Sequence, residues 1–503
     1  MDQALVMQQL SPMDAAFLYL ENESTHAHGT FVWIYDAQGC EARDISRRTL
    51  IEHMRSRVHL SPVFTRKIHR LPLDFDYPYW VDDEGFELLY HVREQSMHEK
   101  GNWEDFCRVV ADVHSQPLSP SHPLWEMTLV TGLQGIEGLP DNCFAILGKF
   151  HHVAIDGATG MHIISQIHDH PDGAIEDPSP YTRPARPPGL RESLFRAAVR
   201  NVGALDKSLE LIGARPPRPD ADEPAPEPPP REGPEEPKGI PQPLFNQGIS
   251  NTATWDSRSF DLADIKAMRK AVPGATVNDV LLTIVAGGLR QYLESCEQLP
   301  DAPMKAGCPI NVRTESEAAA GGNMISAMIV NMHTNIKDPL ERLAAITESS
   351  TAAKARASQR GSRKVLDVVS IVPAQAQALV GHAVGAVARR LNRAMQFNCS
   401  VSNLPGPQQE MGMLGGKLCR IGAAMPVMNG YGLFIGLTTC AGELRISMSS
   451  TTNILPDPDI LGDCMERSYR ELQQAIDRKS KQATRRKQNI GRKQTTGRKR
   501  NRK

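Results

Sequence analysis

The sequence of 503 residues lacks several features that would place it in a specialised class of protein. It contains no run of about 18 apolar residues, which argues against a transmembrane helix. Its first residues, MDQALVMQQLSPMDAAF, show no basic segment followed by an apolar core, so no secretory signal is expected. Its nine cysteines are scattered without a C-x-x-C pair, which disfavours a zinc ribbon and a disulfide framework. With 40% hydrophobic and 23% charged residues, the composition predicts a soluble globular protein of the cytoplasm.

The net charge of −1 hides an uneven distribution along the chain. Residues 478–503 hold thirteen Lys or Arg and no Asp or Glu, and subtracting these thirteen from −1 leaves −14 for the rest. Because this tail has almost no apolar side chains, we expect it to be disordered. Such a tail binds an anionic membrane at about 1 kcal/mol per basic residue, or binds nucleic acid, or only keeps the protein soluble. The rest of the chain has no interleaved basic and aromatic residues, so no specific nucleic acid is expected.

A segment rich in Pro and Glu divides the chain and reads as a disordered, semi-extended linker. On both sides of it, strand-like runs such as DNCFAILGKF alternate irregularly with amphipathic, helix-like stretches. This order predicts an α/β or α+β sandwich and disfavours a Rossmann sheet. The predicted units are an N-terminal domain at 1–188, an amphipathic helix at 189–212, the linker at 213–243, a C-terminal domain at 244–477 and the basic tail at 478–503.

Two segments have the composition of helices that contact a membrane. Residues 189–212 place apolar side chains at helical spacing and basic ones on other faces, which fits a membrane interface or a helix packed on the domain. The second segment, SIVPAQAQALVGHAVGAVARRL, is small, apolar and contains Gly. It fits a core helix or a membrane-facing helix, and the sequence leaves both alternatives open.

The stretch KFHHVAIDGATG, Lys149–Gly160, carries adjacent histidines where an apolar strand ends. Neighbouring residues on a strand point to opposite faces, so His151 and His152 do not readily bind one metal ion, and no metal site is expected. An imidazole with a pKa near 6.5 suits a general base that takes a proton from an alcohol. Asp156 is placed to hold the local turn, and Gly157 permits the chain to turn into a helix.

The pattern H-H-x-x-x-D-G resembles the signature of CoA-dependent acyltransferases built like chloramphenicol acetyltransferase. Among these, the chain is most similar to the bacterial wax ester synthase/diacylglycerol acyltransferases. Four further blocks carry this resemblance, namely LSPMDAAFLYLE (Leu10–Glu21), HPLWEM (His122–Met127), TVNDVLL (Thr276–Leu282) and SNLPGP (Ser402–Pro407). The blocks occur in the expected order and span both predicted domains.

The resemblance implies two sandwich domains like chloramphenicol acetyltransferase that flank a substrate tunnel. Acyl-CoA would enter from one side as a substrate, with no cofactor, and diacylglycerol or a fatty alcohol from the other. His152 would be the base, with His151 and Asp156 holding it in place and with no acyl-enzyme. Asn278 would donate a hydrogen bond to the oxyanion, although capping a helix start is an equal alternative for it.

Other residues of the matched blocks are assigned to scaffold or tunnel positions, namely Gly157, Pro123, Leu124, Trp125, Asp279, Ser402 and Asn403. The water-insoluble acceptor implies peripheral contact with the inner membrane face or with lipid inclusions, through the basic tail and the 189–212 helix. Two rival interpretations stay open. One is a condensation-like acyltransferase of the same superfamily, and the other is a non-catalytic protein that binds membranes or lipid droplets.

Overall fold

The computed structural model describes residues 8–40, 45–97, 101–155, 157–171, 173, 189, 191–200, 243–311, 325–359, 372–379, 396–407 and 409–500. Asp156, residues 201–212 of the predicted amphipathic helix and residues 213–242 of the predicted linker lie outside these ranges.

The strands are, in chain order, β1 (His28–Asp36), β2 (Arg66–His69), β3 (Tyr79–Asp82), β4 (Val92–Ser96), β5 (Trp125–Thr131), β6 (Cys143–His151), β7 (Ala253–Asp261), β8 (Lys305–Asn311), β9 (Ile325–Asn331), β10 (Cys399–Leu404), β11 (Gly412–Met413), β12 (Gly416–Ala424), β13 (Phe434–Cys440) and β14 (Glu443–Thr451). The helices are α1 (Pro12–Leu20), α2 (Arg47–Arg55), α3 (Leu88–His91), α4 (Trp103–Ser115), α5 (Gly157–Ile167), α6 (residues 191–200), α7 (Leu262–Met268), α8 (Val277–Ser295), α9 (Pro339–Gln359), α10 (residues 374–379) and α11 (Pro458–Arg500).

Two mixed sheets organise the described residues. The first has the order β11-β12-β1-β6-β5-β4 and the second the order β7-β14-β13-β10-β8-β9, while β2 and β3 form a small separate ladder. Helices cover these sheets, so the prediction of a mixed α/β architecture is confirmed. The irregular order also agrees with the absence of a Rossmann pattern from the sequence.

The division of the chain at the linker does not separate the two sheets. Strands β11 and β12 follow the linker, yet they join the first sheet, where Ala424 of β12 lies opposite Thr30 of β1. The boundaries 1–188 and 244–477 therefore do not describe two independent sandwiches. Hydrophobic periodicity identifies a strand and its buried face but carries no information about which strand it pairs with, so this exchange was missed.

Strand β6, which leads to the adjacent histidines, lies in the middle of the first sheet. All nine of its residues are buried because β1 and β5 flank it and both of its faces are covered. A strand covered on both faces reads as a continuous apolar run, as CFAILGKF does. Its Lys149 forms an ion pair with Glu126 at 3.1 Å and donates hydrogen bonds to the carbonyl oxygens of Val113 and Gln116.

The two sheets meet along β12. The indole of Trp255 on β7 donates a hydrogen bond to the carbonyl oxygen of Ala423 at 3.1 Å. The hydroxyl of Ser449 on β14 accepts a hydrogen bond from the amide of Met425, directly after β12, at 2.9 Å. Since β12 also pairs with β1, these contacts fix the second sheet relative to the strand that runs beside β6.

Helix α11 corrects one expectation. The tail at 478–503 was expected to be disordered, but the structure continues the helix that begins at Pro458 as far as Arg500. The first part of α11 is nucleated by burial of Leu461, Met465 and Leu472 against the second domain. Lys, Arg and Gln are good helix formers, so extending a helix that already exists is cheap even without further burial. Within the described part of the chain, no helix combines the length and the apolar character needed to cross a bilayer.

The packing of β6 against Trp33 generates a stability prediction. A Cβ added to Gly148 would lie 2.3 Å from a ring carbon of the fully buried Trp33, so Gly148→Ala requires the core to shift. We expect the free energy of unfolding, measured by urea titration, to fall by about 1–3 kcal/mol.

Gly160→Ala is the matched control for this substitution. Its Cβ would meet only Ile155, at 3.9 Å, and alanine favours the α5 helix, so stability should stay equal or rise by about 1 kcal/mol. Equal urea midpoints for both variants would show that Gly148 is not tightly packed against Trp33.

Candidate active site

The ring of His151, the last residue of β6, is held by a hydrogen bond at Nδ1 and faces a carboxylate at Nε2. Its Nδ1 accepts a hydrogen bond from the amide of Val153 at 3.0 Å, so the proton of the neutral ring is on Nε2. That Nε2 lies 3.2 Å from Oε1 of Glu21. The amide of His151 donates to the carbonyl oxygen of Leu124 at 3.1 Å, and the side chain is buried. The residue therefore has one defined tautomer and one defined orientation.

His152 follows the end of the strand and has a different environment. Its amide donates to the carbonyl oxygen of Ala27 at 2.8 Å. Its ring is half-buried and stacks on Phe17, with ring centroids 5.4 Å apart. Burial, together with the nearby His151, lowers the pKa of His152 to about 4. The ring is thus neutral near pH 7 and has a lone pair that can take a proton.

Glu21 is a site residue that the sequence analysis missed. One oxygen of its carboxylate both accepts the amide hydrogen of Ala27 at 2.9 Å and contacts His151. Burial raises the pKa of Glu21, but the contact with His151 and the bond from Ala27 outweigh burial and leave the pKa below its ordinary value. A carboxylate therefore orients the first histidine of the pair.

Helix α1 carries Phe17, and its C-cap residue is Glu21. The helix begins where the hydroxyl of Ser11 accepts the amide of Asp14 at 3.0 Å, with Pro12 in the first turn, which is a favourable start. Glu21 directly follows its last residue, four positions after Phe17. Both residues lie within the block LSPMDAAFLYLE, and a helical spacing of four was the one signal that could have paired them.

The Pro-Leu-Trp motif supports the end of β6 through its backbone and a buried indole. The carbonyl of Leu124 accepts the His151 amide, and the amide of Trp125 donates to the carbonyl of Pro123 at 2.9 Å. Trp125 is fully buried, and its indole donates to the carbonyl of Phe64 at 3.1 Å. His91 stacks on it at 4.4 Å. The motif occupies a scaffold position next to the histidine pair.

Asn278 and Asp279 lie in the first turn of α8, in the second domain. Thr276 is the N-cap, and Asp279 completes a reciprocal capping box with it. The other carboxylate oxygen of Asp279 accepts the hydroxyl of Ser350 on α9 at 2.6 Å, so this aspartate joins two helices. Asn278 is half-buried and does not cap the helix. Thr276 and Asp279 therefore cap the helix, and the alternative role of Asn278 as a cap is not needed.

The remaining predicted residues belong to other elements of the fold. Ser402 and Asn403 belong to β10 of the second sheet, the first half-buried and the second exposed. Gly406 follows them where an added Cβ would lie 1.5 Å from the carbonyl oxygen of Thr439, so only glycine fits there. Gly157 is the first residue of α5, and Asp156, immediately before it, lies outside the described residues.

Buried histidines also lie behind the pair, on the neighbouring strand β1 and at the end of α4. His28 donates from Nε2 to the carbonyl of His114 at 2.8 Å, and Nδ1 of His114 is 3.0 Å from the hydroxyl of Thr30. Burial, with Lys149 nearby, lowers the pKa of His114 to about 3, and burial keeps the pKa of His28 well below its ordinary value. Among the residues that the structure describes, no group of His, Cys, Asp and Glu is arranged to hold a metal ion.

Comparison with known proteins identifies related sequences along most of the chain. The family model of the wax ester synthase/diacylglycerol acyltransferase catalytic domain matches residues 10–281, and the C-terminal domain model of the same family matches residues 321–473. A putative diacylglycerol O-acyltransferase of Mycobacterium tuberculosis is 31% identical over 420 residues, which cover 80% of this chain and 84% of the relative. Another from the same species is 27% identical over 477 residues, covering 93% of this chain and all of the relative.

Solved structures share the fold. The wax ester synthase/diacylglycerol acyltransferase of Marinobacter aquaeolei superposes with a TM-score of 0.67 at 21% identity, covering 94% of this chain and 100% of that one. The trichothecene 15-O-acetyltransferase of Fusarium sporotrichioides has a TM-score of 0.56 at 10% identity, covering 94% and 96%. The first condensation domain of the calcium-dependent antibiotic synthetase has a TM-score of 0.53 at 15% identity, with the same coverage. The expected two-domain fold is therefore confirmed.

Proposed function

Because the chain belongs to the wax ester synthase/diacylglycerol acyltransferase family and is an acyltransferase, we propose that it moves a long-chain acyl group from acyl-CoA to the hydroxyl of diacylglycerol. The names of the curated relatives favour diacylglycerol as the acceptor. A long-chain alcohol is the second candidate, because the Marinobacter protein of the same fold is also named a wax ester synthase.

The observation that carries this proposal is the unequal environment of the two histidines. His151 is buried and held by Glu21, whereas His152 is partly open, neutral near pH 7 and stacked on an aromatic ring. A neutral imidazole with one exposed side is suited to take a proton from a hydroxyl group. We therefore assign His152 as the general base and His151 and Glu21 as the residues that position it.

The proposed reaction needs no acyl-enzyme. Nε2 or Nδ1 of His152 removes the proton of the acceptor hydroxyl as its oxygen attacks the thioester carbonyl carbon. The C–O bond forms, and the carbonyl electrons move to the oxygen to give a tetrahedral oxyanion. The oxyanion then collapses, the C–S bond breaks, and the leaving CoA thiolate takes the proton from His152. The products are the ester and free CoA.

The oxyanion requires a hydrogen-bond donor, and loss of one such donor typically costs about 3 kcal/mol. Asn278 is the candidate, since its amide is not used to cap α8 and it lies near the positive N-terminal end of that helix. Asp156 is assigned to hold the turn after the histidines, and Ser402 and Asn403 are assigned to line the acceptor side from the second sheet. These assignments rest on the matched motif blocks.

A water-insoluble acceptor requires the protein to meet a lipid surface. We place the protein in the cytoplasm, peripherally bound to the inner membrane face or to lipid inclusions. The basic continuation of α11 supports electrostatic attraction to anionic lipids, because residues 478–503 carry thirteen positive charges and no negative ones. This attraction weakens as salt rises.

Replacing the proposed base tests the reaction directly. Purified protein incubated with radiolabelled palmitoyl-CoA and either dioleoylglycerol or hexadecanol should form labelled ester. His152→Ala should lower kcat/KM by about a hundredfold to ten-thousandfold because the general base is lost. His162→Ala, which removes an exposed histidine of α5, is the matched control and should retain activity. Absence of ester with both acceptors would favour the non-catalytic interpretation, and equal activity of His152→Ala would refute the assignment of the base.

The role of Glu21 is tested by a pair of substitutions. Glu21→Ala removes the carboxylate that faces His151 and the Ala27 amide, so kcat should fall about tenfold, which corresponds to about 1.4 kcal/mol, with the KM for acyl-CoA unchanged. Glu21→Gln keeps an accepting oxygen in the same place and should restore most of kcat. If the glutamine variant is as impaired as the alanine variant, orientation through this oxygen is not what Glu21 contributes.

A further inference from the structure

We propose that the protein docks on a phospholipid surface through one apolar face, formed by Leu73, Leu194, Phe195, Val199 and Leu379, and that the acyl acceptor leaves the lipid there. This docking face is distinct from the basic tail. The proposal rests on the proposed function only in naming the acyl acceptor as the molecule that enters there. Its parts come from three separate elements, namely the loop before β3, helix α6 and helix α10.

Helix α6 is packed in the opposite sense to an ordinary surface helix. Its small residues Ser193 and Ala197, one turn apart, are buried against the protein. Its large apolar residues Leu194, Phe195 and Val199 point outward and are 51%, 70% and 57% exposed. A surface helix normally buries its large apolar stripe, so this arrangement leaves an apolar face for a partner.

Helix α10 repeats the same arrangement. Ala374 and Ala378, again four residues apart, are buried, while Leu379 is 71% exposed. Both helices therefore approach the protein through small side chains and present larger ones to the outside. Two short helices that share this packing form one continuous surface only if they lie side by side.

Tyr77 brings the two helices together. Its hydroxyl donates to the carbonyl oxygen of Val372, just before α10, at 2.6 Å. The guanidinium of Arg200, the last described residue of α6, lies over the Tyr77 ring, 5.2 Å from its centroid, and forms an ion pair with Asp76. Ala378 of α10 belongs to the same apolar cluster as Tyr77. Arg200 of α6 and the segment just before α10 thus contact the same loop.

The same loop exposes a leucine in a strained conformation. Leu73 has a φ of 56° and is 93% exposed. The left-handed region is unfavourable for a leucine, and full exposure of its side chain gains nothing from packing. Both the backbone conformation and the exposure of Leu73 are unfavourable for a leucine in water. Such a residue fits a position whose side chain inserts into lipid. Leu73 lies three residues before Asp76, which holds α6.

The buried side of α10 belongs to the same apolar cluster as residues beside the candidate base. The cluster that contains Tyr77 and the buried alanines of α10 also contains Leu124 and Val153. Val153 directly follows His152, and Leu124 accepts the hydrogen bond from His151. In this proposal, a hydroxyl-bearing lipid moves from the docking face along this cluster to the histidine pair.

The chemistry of the face favours lipid over a protein partner. Its members are aliphatic or aromatic and come from three short elements, which is typical of shallow insertion into a membrane interface. Arg191 and Arg196 are exposed on α6 beside the apolar stripe; Arg196 forms an ion pair with Glu192 at 2.8 Å, and Arg191 adds a second exposed cation. Cationic side chains around an apolar patch complement anionic headgroups.

The test is flotation of the full chain with vesicles of phosphatidylcholine and phosphatidylglycerol that contain dioleoylglycerol. A variant combining Leu194→Ser, Phe195→Ser and Val199→Ser should need roughly tenfold or more lipid for half-maximal binding, because the apolar area that enters the lipid is lost. Ile460→Ser, which changes an exposed apolar residue at the start of α11, is the matched control and should bind like the wild type.

Two further variants distinguish insertion of the docking face from a loss of stability and from attraction by the basic tail. Leu73→Asn should weaken vesicle binding and yet leave the melting temperature equal or higher, because asparagine tolerates the left-handed conformation. Deletion of residues 478–503 should weaken binding at low salt only, whereas the triple variant should remain impaired at high salt.

The outcomes distinguish the docking face from the proposed reaction. Vesicle binding by the triple variant equal to that of the wild type would overturn the docking face, as would a wild-type protein that forms ester without binding vesicles. A lower melting temperature of the triple variant with unchanged vesicle binding would show that another part of the protein covers the face. If the wild type is a dimer and the triple variant is not, a second copy of the chain is the partner. Vesicle binding that depends on the face in a protein that makes no ester would refute the reaction and retain the docking face.

Discussion

The hydrogen bond from the Val153 amide to Nδ1 of His151 is the constraint on which the candidate site depends. It assigns the proton of His151 to Nε2 and so directs that atom to Glu21. The same turn ends β6 and places His152 on the open side, against Phe17. Strand β6 is buried between β1 and β5, and the buried Trp125 lies beside its end. The two adjacent histidines acquire different roles because the strand ends between them.

The sequence identified the parts of the site that are close together along the chain and missed the parts that are distant. The histidine pair, Gly157 and the Pro-Leu-Trp motif could be recognised because each is a short block with a defined spacing. The contact between Glu21 and His151 joins residues 130 positions apart, so periodicity carries no trace of it. The transfer of β12 to the first sheet was missed for the same reason. The helical tail was missed because a basic, polar composition predicts disorder, although Lys, Arg and Gln favour the extension of a helix that already exists.

The docking face illustrates what hydrophobic periodicity in a sequence cannot predict. An apolar stripe at helical spacing predicts a helix with an apolar side, but it does not tell whether that side faces the protein or a lipid. The burial of Ser193 and Ala197 shows which side of α6 packs against the protein, and the exposed Phe195 lies outside that side. Tyr77 contacts the segments that carry α6 and α10 and shares an apolar cluster with Val153. Attachment to lipid and delivery of the acceptor would thus use neighbouring surfaces.

The central claim is that burial keeps His152 neutral as the base, and the pH dependence of kcat/KM tests it most directly. This parameter reports ionisation in the free enzyme, and protonation of His152 would abolish its ability to take a proton. With its pKa lowered to about 4, kcat/KM should stay constant as the pH falls from 8 to about 5, in samples that recover full activity when returned to neutral pH. A decline centred near pH 6.5, the ordinary value for histidine, would contradict this claim because it would mean that water surrounds the ring.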